Sequence, residues 1–210
     1  MKKIPWIMAG MFFLAVGFAR AETTRPVQLS LCTPLQLVPA GENVNGLGLN
    51  VFYVENQEVS GLSLGVLGVN RVKGDFQGVE AGPGNWVDGK TYGGQVGIVN
   101  RAGKRLVGGQ AGVVSLTEGD FSGLQTGVVA YTQGFFHGWQ AGIVTYTAGD
   151  FAGWQTGLVN RVKGEVNGMA LGLLNQADGV MNGAQIGFGN YAAEVRGLQL
   201  GVINVTHSLN

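Results

Sequence analysis

Polar and apolar residues alternate along most of the chain with a period of two. Trp154, Thr156 and Leu158 fall on one face of an extended strand. Gln155 and Gly157 fall on the other face. A helix is a poor explanation, because each unit carries several glycines and each would cost about 1 kcal/mol relative to alanine. The pattern therefore predicts β-strands.

The same pattern recurs at an interval of fifteen residues. Gly-x-x-x-Gly pairs mark the interval, with one step of seventeen from Gly61 to Gly78 and one of fourteen from Gly183 to Gly197. A fixed period indicates units that bury their faces against neighbouring units. A glutamine follows the first glycine of most pairs by two residues, and glutamines at one position of stacked units are expected to form amide ladders. These glutamines are Gln95, Gln110, Gln125, Gln140, Gln155, Gln185 and Gln199.

Two all-β architectures fit this repeat. In a β-solenoid of about eleven coils, each unit is one coil and equivalent residues stack about 4.8 Å apart. In an antiparallel meander closed into an outer-membrane β-barrel, each unit is one strand followed by a turn. Near-equal connection lengths and residues shared between neighbouring units, such as Trp139 and Trp154, favour the solenoid. The sequence therefore predicts a β-solenoid, with the barrel as the alternative.

The chain divides into three segments. Residues 1–21 have the features of a secretory signal peptide, with two lysines, an apolar run from Ile4 to Phe18 and a small-residue cleavage site ending at Ala21. Residues 22–45 contain three prolines and lack the period, so they are expected to cap the array. Residues 46–210 form the predicted repeat domain.

Composition narrows the class of protein. The 210 residues include 38 glycines, yet 45% of the chain is hydrophobic and only 12% is charged. A disordered glycine-rich linker would be polar, so this composition predicts an ordered protein. Cleavage of the signal peptide removes three basic residues and leaves a formal charge of 10 − 13 = −3. We do not expect such an acidic chain to bind nucleic acid, because nucleic-acid binders carry basic patches.

The sequence offers no set of catalytic, cofactor-binding or metal-binding residues. His137 and His207 stand in different contexts and give no metal site. Asp75, Asp120 and Asp150 recur in Gly-Asp-Phe bends. A hydrogen bond within the aspartate's own turn explains them better than calcium, which needs six or more oxygen ligands. We therefore expect a protein that is not an enzyme and holds no cofactor.

Aromatic residues at one bend position form the candidate interaction surface. Tyr131, Tyr146, Tyr191 and Trp86 occupy this position. Outward-facing rings at a regular spacing would suit a glycan or an envelope protein. The alternative is that the rings cover the edge of the core. A second interaction is predicted at the last unit, GLQLGVIN, whose apolar edge is expected to associate end to end with another chain.

The units GGQVGIVN, GWQTGLVN and GLQLGVIN resemble those of the bacterial surface-repeat proteins, exported chains built from tandem Gly-x-Gln-x-Gly-Leu-Val-Asn units. The resemblance extends from about Pro26 to Asn204, although GVEAGPGN and GMALGLLN lack the glutamine. It implies a location in the periplasm, in the outer membrane or at the cell surface, and it brings no catalytic residues. We therefore expect a non-enzymatic exported protein with a structural or interaction role at the cell envelope. The alternative is a small outer-membrane barrel that acts as a pore or anchor.

Overall fold

The computed structural model describes residues 24–209. The predicted signal peptide, residues 1–21, lies outside this part of the chain. Every regular element between residues 24 and 209 is a β-strand. Within the same residues there is no helix with the length and apolarity needed to cross a membrane.

Fifteen strands follow one another along the chain. They are β1 (Thr24–Cys32), β2 (Leu35–Gln36), β3 (Asn43–Asn56), β4 (Val59–Gly65), β5 (Val69–Val72), β6 (Phe76–Ala81), β7 (Gly84–Val87), β8 (Thr91–Ala102), β9 (Leu106–Thr117), β10 (Phe121–Thr132), β11 (Phe136–Thr147), β12 (Phe151–Val162), β13 (Val166–Ile186), β14 (Gly189–Leu200) and β15 (Ile203–Leu209).

Neighbouring repeats pair in parallel and in register. Phe121 pairs with Phe136, and Trp139 pairs with Trp154, so residues fifteen apart lie side by side. The result is a β-solenoid of about 12 coils, which at about 4.8 Å per coil is roughly 50 Å long. The predicted solenoid is confirmed. The alternative, an antiparallel meander closed into an outer-membrane β-barrel, is wrong.

The first coil has its own cover. Strand β1 pairs in parallel with β3, while β2 turns back and pairs antiparallel with β1. The buried Gln28 side chain donates to the Val38 carbonyl at 3.1 Å and accepts from the Val38 amide at 2.7 Å. Residues 33–42 therefore satisfy the polar groups that the first coil would otherwise expose at the end of the stack.

The inward positions recur from coil to coil. Counting Phe121 as position 1 of its coil, side chains at positions 1, 5, 10 and 12 are buried. Position 1 stacks Phe121, Phe136 and Phe151, with ring centroids 4.9 and 5.1 Å apart. Burial of each such ring contributes about 1.5 to 3 kcal/mol. Position 5 holds the glutamines, so the polar side of the alternating pattern faces inwards.

The tryptophan side of the pattern faces outwards. Trp139 and Trp154 are 50% and 58% exposed, whereas Gln140 and Gln155 are buried. An apolar side chain outside and an amide inside reverse the usual preference of soluble proteins. The reversal is possible because the stacked amides satisfy one another.

Glycine at position 3 is required by both conformation and space. Gly138 has a φ of 131°, a region that L side chains rarely adopt. A Cβ atom at this residue would overlap the carbonyl oxygen of Gly123 in the preceding coil. The outward-facing Gly109 is different, because a Cβ there would meet no atom closer than the Leu124 oxygen at 3.9 Å.

We predict that Gly138→Ala destabilises the fold by about 2 kcal/mol or more, because it adds backbone strain and displaces the neighbouring coil. Thermal unfolding followed by far-UV circular dichroism measures the loss. Gly109→Ala is the matched control and is expected to unfold within a few degrees of the parent protein. Equal melting temperatures for the two variants would contradict the role given to position 3.

Candidate functional site

A ladder of glutamine amides runs through the interior. The side-chain nitrogen of Gln110 donates to the Gln95 oxygen at 3.0 Å, and Gln125 donates to Gln110 at 2.9 Å. Gln140 and Gln155 continue the series at 2.8 Å per step. The predicted amide ladder is confirmed over these coils. Threonines at position 12 donate to the same amide oxygens, as Thr132 does to Gln125 at 3.1 Å.

A second ladder, of asparagines at position 10, was missed by the sequence reasoning. In the second half of the array, Asn160 donates to Asn175 at 2.7 Å, Asn175 to Asn190 at 2.8 Å, and Asn190 to Asn204 at 2.7 Å. The signal was present, since asparagine recurs one residue after the apolar pair of most units. Its inward direction emerges only when the bend of the coil is known.

Glu80 replaces glutamine in the position 5 ladder. It is fully buried, and Gln95 donates to its Oε2 at 3.1 Å. Burial raises the pKa of Glu80 to about 8, because the interior disfavours the charged carboxylate more than the hydrogen bond from Gln95 stabilises it. Below that pH the carboxyl group is neutral and has nearly the shape of the glutamine that it replaces.

The recurring aspartates connect neighbouring coils. Asp120 Oδ1 accepts a hydrogen bond from the Phe135 amide at 2.9 Å, and Asp150 Oδ1 accepts one from the Glu165 amide at 2.8 Å. Each bond reaches fifteen residues along the chain. The expectation of a bond within the aspartate's own turn is therefore wrong. In the parallel stack, the backbone amide within hydrogen-bonding distance of each aspartate belongs to the next coil.

The predicted aromatic residues share position 11 but do not form one continuous surface. Tyr131 and Tyr146 stack with ring centroids 5.3 Å apart and planes within 3°. Because they are related by one coil step, their ring faces point along the stack. The Tyr191 ring meets His207 edge-on three coils beyond Tyr146, with centroids 5.9 Å apart.

Trp86 is held in a network of charges. The Arg101 guanidinium lies 4.7 Å from the centre of the Trp86 ring, and Trp86 Nε1 donates to Asp88 at 3.0 Å. Arg101 bridges Asp88 and Glu118, while Arg71 also donates to Asp88 at 2.9 Å. Burial acts to raise the pKa of Asp88, but hydrogen bonds and charge from the arginines lower it overall. One face of Trp86 is thus already covered.

An apolar face lies at positions 4, 6 and 8, between the coil of Leu62 and the coil of Leu198. No charged residue occurs at these three positions, and the only charged residue between positions 4 and 9 is the buried Glu80. The face covers on the order of 700 Å² at the spacings of a β-sheet. The largest apolar patch on a typical monomer is about 300 to 600 Å². The exposed members at position 8 are Val66, Ile98, Val113, Val128, Ile143, Leu158, Leu173, Phe188 and Val202.

The apolar face has a charged counterpart across the coil. Positions 11, 13 and 15 carry most of the charged side chains, including Arg71, Lys73, Asp75, Asp88 and Lys90. Within the described residues, no group of three or more His, Cys, Asp or Glu side chains is arranged to hold a metal ion. The stack therefore has one charged side and one apolar side.

Comparison with models of known protein families, with characterised proteins and with solved structures finds no match to this chain.

We predict that the stability of this protein falls as the pH rises from about 5 to about 8. In the unfolded chain Glu80 loses its proton near its ordinary pKa of 4.5, whereas in the folded chain it keeps the proton up to about 8. Between these values unfolding releases a proton, so each unit of rising pH lowers the free energy of unfolding by up to about 1.4 kcal/mol.

Glu80→Gln is expected to remove this dependence. The free energy of unfolding of the variant should therefore exceed that of the parent by an amount that grows from near zero at pH 4.5 to a maximum above pH 8. Urea unfolding across this pH range measures the difference. Glu165→Gln, at an exposed carboxylate, is the control and should follow the parent. Parallel pH profiles for the parent and Glu80→Gln would show that Glu80 does not carry the effect.

Proposed function

We propose that this chain is a non-enzymatic exported repeat protein with a structural or interaction role at the bacterial cell envelope. The observation that carries the proposal is the apolar face, which is long, exposed and free of charge. Exposed apolar patches of this size mark surfaces that bind a partner.

The interior supports a scaffold role. Glutamines at position 5 and asparagines at position 10 are committed to ladders, as Gln125 and Asn175 are, and the position 1 rings pack against one another. A rigid rod that presents one apolar side and one charged side can hold partners at fixed spacing. The resemblance to bacterial surface-repeat proteins supports the envelope location, and the features of the amino-terminal segment support export.

We predict that the chain accumulates outside the cytoplasm without residues 1–21. The lysines, apolar run and cleavage site of that segment direct export and processing. Intact mass and amino-terminal sequencing of the protein from each cell fraction measure the outcome, with Glu22 expected as the first residue. Ala21→Arg is the matched variant, because it removes the small residue at the cleavage site and should therefore retain the segment. Recovery of the parent chain in the cytoplasm with its first residues intact would refute export.

The position 11 aromatics are the proposed secondary contact. Because the half-buried Tyr131 and Tyr146 rings stack face to face, they suit hydrogen bonding through their hydroxyl groups to a glycan or envelope protein better than stacking on a sugar ring.

We predict that replacing Tyr131 and Tyr146 together with serine weakens binding to glycans or whole cells by about tenfold or more, since aromatic anchors dominate such contacts. A glycan array and a whole-cell binding assay measure the change. Tyr92→Ser removes an exposed tyrosine at position 2, outside the column, and should leave binding unchanged. Unchanged binding by the double variant would remove this contact from the proposal.

A further inference from the structure

The apolar face is uneven along position 4. Five successive coils carry Gly94, Gly109, Leu124, Trp139 and Trp154 at this position, paired side by side in the sheet. The two tryptophans project from the face, and the Trp139 ring is oriented by a hydrogen bond from its Nε1 to Thr156 Oγ1 at 3.1 Å. Two coils away from the tryptophans, the two glycines carry no side chain and leave a hollow that also spans two coils.

The fold does not require glycine at the hollow. Gly94 and Gly109 lack the positive φ of the position 3 glycines. A Cβ atom at either residue would meet nothing closer than a carbonyl oxygen at 3.9 Å. Glycine weakens a strand interior, and where local geometry does not demand it, it often marks the close approach of another molecule.

The projection and the hollow are related by symmetry. The coil of Leu124 lies midway between them. A two-fold axis through this coil, parallel to its strand, reverses the direction of the stack but keeps each position along the strand. That operation places Trp139 against the partner's Gly109 and Trp154 against the partner's Gly94.

We propose that the apolar face binds a second copy of this chain, forming a two-fold dimer with its axis at the Leu124 coil. A two-fold interface is self-complementary, as the tryptophan and glycine pairs require. The same axis sets Ala141 against the partner's Ala111, and Ile143 against the partner's Val113. In these two coils, small residues therefore meet at position 6 and aliphatic residues meet at position 8.

The area and the charge of the apolar face fit a second copy of the chain. The face offers on the order of 700 Å² per copy, close to the roughly 800 Å² per partner of a standard stable interface. Positions 4, 6 and 8 bring no like charges together, because they carry none. A lipid surface would also accept an apolar face, but a fluid surface gives no reason for a hollow matched to the two tryptophans.

This dimer names the partner of the apolar face, so it rests on the interaction role proposed above.

The test exchanges the positions of the tryptophans and the glycines. Filling the hollow with Gly94→Trp and Gly109→Trp is expected to raise the dimer dissociation constant at least about 100-fold, because tryptophan then meets tryptophan. Adding Trp139→Gly and Trp154→Gly to that variant restores the fit by symmetry and should return the constant to within about tenfold of the parent.

Sedimentation equilibrium of the protein purified from cells expressing the full chain, in buffer without detergent, measures each constant. Ala148→Trp places one tryptophan at position 13, outside the face, and should dimerise like the parent. Far-UV circular dichroism of every variant is expected to match the parent, which separates lost pairing from lost folding.

Three outcomes would overturn the dimer. They are a monomeric parent protein, a filled-hollow variant that pairs like the parent, and a fourfold variant that stays monomeric although folded. If the parent protein is monomeric, its sedimentation with phosphatidylcholine vesicles separates failure of the dimer from failure of the interaction role. Vesicle binding would identify lipid as the ligand of the face and would agree with the interaction role. A monomer that does not bind vesicles would contradict the interaction role of the face as well.

Discussion

Coil-to-coil register is the constraint on which this structure depends. A buried glutamine amide has two donors and an acceptor oxygen, and leaving them unpaired costs about 1 to 3 kcal/mol. Gln125 meets this requirement by donating to Gln110 and accepting from Gln140. Each coil therefore stabilises the next only when equivalent positions lie side by side. A shift by one residue would break the ladder and bring the aromatic stack out of line.

The polar interior explains the apolar exterior. Positions 5 and 10 hold amides that hydrogen-bond one another, so the interior accommodates polar side chains. Positions 4, 6 and 8 then receive the apolar residues of the alternating pattern. A soluble coil with these residues reversed would bury its tryptophans. Here Trp154 is 58% exposed.

The period made most of the fold predictable. Fifteen-residue spacing, strand alternation and shared columns indicated a solenoid, and the glutamines indicated their own ladder. The direction of each face could not be predicted, because alternation separates two faces without saying which one is enclosed. The acceptor role of Asp120 across coils and the Arg101 cover over Trp86 depend on contacts between coils. The hollow at Gly94 and Gly109 was also hidden, since the sequence does not distinguish a glycine required by backbone conformation from one that leaves open space.

The arrangement of these hydrogen bonds gives the rod a direction-dependent mechanical response. The bonds between coils, both backbone and amide, run along the long axis, as does the Asp150 bond to the following coil. A pull on the two ends loads the bonds between all coils in series, and an end coil, which has a neighbour on one side only, yields first. A pull across the rod instead acts on covalent backbone within each coil. Under tension the protein is therefore expected to lengthen in steps of one fifteen-residue coil, each absorbing work and each able to reform when the force is released.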